Sequence, residues 1–114
     1  MVRRRERKDS KDTQSTIGCE RLINDVFGVR PVAQRSVLPM RESVREVIGT
    51  LNFRQMVVLI LRYGLDGSGD RTLREVGLVL NRTSENVRQH EARALRNLRH
   101  PSRSRKLRPY IEEK

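Results

Sequence analysis

Between Ser84 and Arg99 the sequence SENVRQHEARALRNLR gathers three side chains able to read base edges: Glu85, Arg88 and Gln89. An arginine can donate two N–H groups to guanine. A glutamine can pair with adenine, and a glutamate can accept from the cytosine amino group. Arg93, Arg96 and Arg99 follow, and these suit phosphates, which position a protein without reading sequence. At about 100° per residue, Val87, Ala94 and Leu98 share one face of a helix, with Leu95 on its flank. Glu85, Gln89, Ala92 and Arg96 fall on the opposite side, flanked by Arg88 and Arg99. A merely solvated helix side would have similar polarity, but the charge is concentrated here. Residues 82 to 108 carry nine Lys or Arg against two acids, Glu85 and Glu91, a net +7 of the chain's +11.

Such a helix needs others to aim it. Thr72 starts a helix with Glu75 in capping-box position, and Leu73, Val76 and Leu80 form its apolar stripe. Gly77 costs a helix interior about 1 kcal/mol relative to Ala, which argues for a close packing contact there. Asn81 tolerates the left-handed backbone of a tight turn, and Thr83 can cap the next helix. Helix, short break and basic helix in direct succession make a helix-turn-helix, whose second helix enters a DNA groove.

Two further helices precede it. Val44, Val47, Ile48 and Leu51 predict a helix over about 41–51. Asn52 then caps a second, about 53–63, with Gln55 in capping-box position and Val57, Val58 and Leu61 facing inward. Gly64 closes it in a left-handed conformation, and Leu65 to Arg71 form a turn-rich loop. Upstream, Leu22, Ile23, Val26 and Phe27 allow one or two amphipathic turns ended by Gly28, with Pro31 and Pro39 bracketing an extended connector. Residues 1–16 are charged without apolar periodicity and read as a disordered tail, either a solvated arm or a phosphate-contacting one. The expected fold is an all-α small bundle with a C-terminal helix-turn-helix over 41–114, preceded by a basic, partly disordered segment over 1–40.

The bulk composition agrees. With 114 residues and no Trp, the chain has room for one domain with a small core. A formal net charge of +11 predicts a polyanionic partner, most simply nucleic acid. Cys19 is the lone cysteine, which suits a reducing cytoplasm. The charged N-terminus does not resemble a signal peptide, and no apolar run reaches the ~18 residues that span a bilayer, so no membrane partner is expected. No Gly-rich phosphate loop or nucleophile–base pair points to an enzyme. Cys19, His90 and His100 lack zinc spacing, so neither metal nor cofactor is expected.

From Arg41 to Lys114 the chain resembles region 4 of primary bacterial sigma factors, the specificity subunits of RNA polymerase. The strings LRYGLDG, TLREVG and VRQHEARALRNLRHPSRS carry the resemblance. It implies an all-helical domain that binds the double-stranded −35 promoter element and packs against the flap of the polymerase β subunit, in the cytoplasm at the nucleoid. Glu85, Arg88 and Gln89 match base-reading positions. Arg93 and Arg96 match backbone contacts, and Thr72 and Leu73 lie where a helix N-terminus approaches a phosphate. The helices over about 41–63 would help present the polymerase-facing surface. Four positions depart from the pattern. Ser84 replaces an arginine next to the reading glutamate, and Arg82 and His90 replace apolar residues. Arg74 replaces an acid, adding positive charge near the DNA. Arg82 and Arg74 join the candidate backbone contacts, and Ser84 the reading positions. His90 reads as a packed or edge-exposed structural histidine, with a DNA contact as the alternative.

Nothing here resembles sigma region 2, which melts the −10 element; four scattered aromatic rings do not make single-strand stacking platforms. Promoter opening would therefore require a second protein supplying region 2. Two other readings keep the fold: a polymerase-binding adapter or inhibitor with weak DNA readout, and a stand-alone repressor, which usually dimerises.

Overall fold

The computed structural model describes residues 2–31 and 37–111, with side chains from Lys11 onward. Its helices are α1 (Val2–Phe27), α2 (Val37–Ile48), α3 (Phe53–Tyr63), α4 (Leu73–Leu80), α5 (Ser84–Arg99) and the single turn α6 (Pro101–Ser104). A 3-10 turn, Arg108–Tyr110, follows. No strand occurs among the described residues.

Local chemistry sets most helix ends. Asn52 accepts from the Gln55 N–H at 2.8 Å, and Gly64 closes α3 at φ 67°. The capping box expected there is only half made. The Gln55 side chain turns away and accepts from Asn97 Nδ2 at 3.0 Å, tying α3 to α5. α2 begins at Val37, ahead of the expected start near Arg41, so Pro39 lies in its first turn instead of in an extended connector. That position tolerates proline because first-turn N–H groups have no intrahelical acceptor. The α2 stripe is otherwise as expected: Val44, Val47 and Ile48 are buried, and Leu51 is buried just beyond the helix.

Two apolar clusters form, and α3 and α5 contribute to both. The larger joins Leu22, Ile23, Val44, Val47, Leu59 and Leu98, among others. The smaller joins Val58, Val76 and Val87, with Leu61, Leu73 and Leu80 against it. α3 is thus apolar on two sides. Leu59 and Tyr63 form a second face that the expected stripe of Val57, Val58 and Leu61 did not include.

α1 is the main departure from expectation. The amphipathic turns expected at Leu22–Phe27 and ended by Gly28 are there, but they form the buried end of a 26-residue helix. Cys19, Leu22, Ile23 and Val26 are buried on one side of it, at i, i+3, i+4 and i+7. Cys19 was the missing start of that stripe. Burial pushes its thiol up to about 11, against the opposing pull of Arg41 and Arg45, so it stays protonated at neutral pH. Gly18 lets α1 pass close over the Tyr63 carbonyl, where a Cβ would collide. Polar contacts line the edges: Ser15 donates to the Leu65 carbonyl at 3.0 Å, Arg21 pairs with Asp70 at 2.6 Å, and the Tyr63 hydroxyl donates to Asp25.

Because Leu22 is fully buried, Leu22→Ala should cost about 2–5 kcal/mol. Chemical denaturation measures this; a loss within ~0.5 kcal/mol, typical of surface sites, would mean that α1 does not pack as described.

Candidate nucleic-acid interface

The helix-turn-helix is built by caps at each junction. Thr72 Oγ1 accepts from the Glu75 N–H at 3.1 Å, and Glu75 Oε1 accepts from the Thr72 N–H at 2.8 Å, so this capping box is complete. It leaves the N–H groups of Leu73 and Arg74 as the open donors at the positive end of α4. Asn81 adopts φ 58°, ψ 48°, the left-handed geometry expected of the turn. Thr83 Oγ1 then accepts from the Asn86 N–H at 3.0 Å, starting α5.

Gly77 is needed for a reason slightly different from a helix–helix crossing. A methyl group there would sit 2.5 Å from the Arg82 carbonyl oxygen, in the turn itself. The Arg82 N–H also donates to the Gly77 carbonyl at 2.8 Å. The turn folds back onto the helix it has just left, and only a missing side chain makes room.

The loop before α4 is held by two arginines whose side chains each donate to a main-chain carbonyl. Arg62 Nη1 donates to the Arg71 carbonyl at 2.7 Å, and Arg71 Nη1 donates to the Leu61 carbonyl at 3.2 Å. Arg62 Nε also lies 3.2 Å from Glu91 Oε2, pairing α3 with α5. Burial raises the Glu91 carboxyl above the usual range, and Arg62 pulls it back.

On α5, Val87, Ala94 and Leu98 are fully buried. Ser84, Glu85, Arg88, Gln89, Arg93 and Arg96 are all exposed, as are Thr72, Arg74 and Arg82; Leu73 is half-buried. Of the four reading candidates, Arg88 and Gln89 meet at Glu85. Arg88 Nε donates to Glu85 Oε1 at 3.0 Å and Arg88 Nη2 to Oε2 at 2.6 Å, a two-pronged pair. Gln89 Nε2 donates to the same Oε2 at 3.3 Å. Hydrogen bonds from Arg88 hold the Glu85 carboxyl below its usual range, and Glu85 raises Arg88 in turn. Both side chains are more than half exposed, so solvent screens the pair and it holds weakly.

Arg99 is occupied elsewhere. Its Nε donates to the Val26 carbonyl at 3.1 Å and its Nη2 to the Asp25 carbonyl at 2.9 Å. It caps the C-terminus of α1, where unpaired carbonyls attract a cation, instead of standing free for a phosphate. This correction follows from α1, which the sequence reading had not placed there.

His90 is half-buried beside a cleft between α3 and the turn. Partial burial lowers its pKa, and Arg54, Arg93 and Arg82 add to the effect. Arg54 was not a candidate; it is an exposed residue of α3 that the fold brings to this edge.

The Sigma-70, region 4 family matches residues 47–100, which contain α3, α4 and α5. These residues are a sigma-70 region 4. The RNA polymerase sigma factor SigA of Listeria monocytogenes is 51% identical over 90 residues, 79% of this chain and 24% of that protein. SigA of a Bacillus species is 44% identical over the same length and shares. SigA of Clostridium acetobutylicum is 51% identical over 73 residues, 64% of this chain and 19% of its own. The chain thus spans about a quarter or less of the length of the curated relatives it matches. Region 4 gives the helix-turn-helix a DNA-binding role in transcription. No described helix is long and apolar enough to cross a membrane.

Two outcomes test this geometry. Helix propensity alone predicts that Gly77→Ala gains about 1 kcal/mol. The collision with Arg82 predicts a loss of about 1–3 kcal/mol instead, and thermal unfolding reads the sign. For His90, proton NMR should find an imidazole pKa below the ordinary ~6.5. A lowered histidine pKa means that the unfolded chain binds the proton more readily, so the contribution of His90 to stability falls as pH drops through ~6.5. In Arg54→Ala the pKa should move part of the way back up; no movement would remove Arg54 from its surroundings.

Proposed function

We propose that this region 4 binds −35-like promoter duplex, with α5 in the major groove. The observation that carries the reading is the exposed Glu85–Arg88–Gln89 cluster, held opposite the buried Val87, Ala94 and Leu98. The inner stripe prevents the helix from rotating, so the reading groups project as one unit. On meeting DNA, Arg88 exchanges one or both of its bonds with Glu85 for guanine acceptors, and Glu85 becomes free to accept from a cytosine amino group. Gln89 takes an adenine. Ser84 offers a short hydroxyl at the helix start, where a longer donor would reach further.

Phosphates would be held at the α4 start capped by Thr72, by the open N–H groups of Leu73 and Arg74, by the Arg74 and Arg82 side chains, and by Arg93 and Arg96. The face presented by α2 and α3 takes the polymerase β flap. The protein acts by binding, without catalysis, in the cytoplasm at the nucleoid, and a second protein supplies the −10-melting part.

Arg88→Ala should lower affinity for the preferred duplex by about 1–3 kcal/mol and relax one base position in a binding-site selection. Arg96→Ala should weaken all sequences alike and flatten the salt dependence of binding. Identical behaviour of the two variants would overturn these roles, and a folded chain that ignores −35-like duplex at low salt would overturn the function.

A further inference from the structure

One apolar hollow opens at the edge of the smaller core cluster, apart from the Glu85–Arg88–Gln89 cluster. Where α3 begins, Phe53 is 73% exposed, at the mouth of a cleft of about 180 Å³. Val57, Val58, Leu80 and Val87 line its inside, and Arg54, Arg82 and His90 stand around it. Arg82 and Asn86 also border a shallower depression on the other side of the turn, where Leu78 is 74% exposed. The two hollows therefore share a wall and form one interrupted groove across the turn, with a large apolar side chain offered to solvent in each.

The charges around it have one sign. Arg54 from α3, Arg82 from the turn and Arg93 from α5 all act on His90, and they are exposed. A second copy of this chain would bring like charge to that rim, since the whole carries +11. A DNA backbone would satisfy the arginines but leave the apolar floor unused. What fits both floor and rim is an apolar side chain carried on an acidic peptide.

We propose that the cleft between the start of α3 and the helix-turn-helix takes an acidic segment of a partner protein, which inserts a large apolar side chain beside Phe53, Val57 and Leu80. Arg54 pairs with its carboxylates, steering it in and setting its direction along the groove. Phe53, left bare by the fold, closes over the inserted side chain.

The probe is a short synthetic helical peptide with Leu and Phe four residues apart on one face and Asp and Glu on the other. It is titrated against the full chain by calorimetry and by NMR of the Phe53 and His90 rings. Two control peptides replace either the anchors by Ala or the acids by Lys. The acidic apolar peptide should bind and shift both rings, and both controls should bind at least about tenfold more weakly. Phe53→Ala, which removes an exposed side chain and leaves the core intact, should weaken the peptide by a similar factor and leave duplex DNA binding unchanged. Arg54→Glu should also weaken the peptide. Equal binding of the Ala-anchored peptide would reduce the cleft to charge attraction and overturn the proposal. So would an unchanged peptide affinity in Phe53→Ala. A parallel loss of DNA affinity in that variant would assign the cleft to the DNA interface, and loss of a self-associated species would assign it to a second copy; either outcome overturns the proposal.

Discussion

The packing of α5 against α3 is the constraint on which the rest depends. Val87, Ala94 and Leu98 are fully buried, and both helices serve both apolar clusters. Two polar contacts pin the pair: Gln55 with Asn97, and Arg62 with Glu91. With α5 fixed in rotation, Glu85, Arg88 and Gln89 can only face outward. With α3 fixed, the loop held by Arg62 and Arg71 delivers α4 to its place. The smaller cluster, to which α4 adds Val76, then closes between them.

Much of this was legible in the sequence because it is local. Caps depend on a few neighbouring residues, so Asn52, Thr72 and Thr83 marked true helix starts, and Gly64 and Asn81 true ends. The α5 stripe was readable because α5 is polar everywhere else. α3 was harder: with apolar side chains on two sides, its periodicity is blurred, and Leu59 and Tyr63 escaped notice. α1 was hidden because its apolar positions share the helix with a long polar stretch, and because Cys19, Gly18 and Ser15 do not look like core residues until something packs on them. Arg99 could not be assigned without α1, since its partners are carbonyls seventy-odd residues away. Gln55 shows a subtler limit: its spacing suits a capping box, but a tertiary partner, Asn97, competes for it and wins.

The reading face also has an internal electrostatic order. Glu85 and Arg88 satisfy each other before any DNA arrives. A lone glutamate at the tip of a DNA-reading helix would repel phosphates; paired with Arg88, its charge is largely masked on approach. The pairing also removes rotamer freedom from Arg88 in advance, which lowers the entropy still to be lost on binding. Ser84 carries only a short hydroxyl, which leaves this pair as the main source of directional donors at the start of α5.

The capping of α1 by Arg99 bears on what counts as the folding unit. The stretch that matches the family begins at residue 47, but the apolar bed made by Val44, Leu59, Tyr63 and Leu98 is roofed by Leu22, Ile23 and Val26. A fragment trimmed to the family boundary would open that bed to water and strip Arg99 of both its acceptors at once. Such a piece would retain every residue proposed to face DNA and still be a poorer, stickier molecule. Kinship marks where this reader is recognisable, and packing marks where it can stand alone.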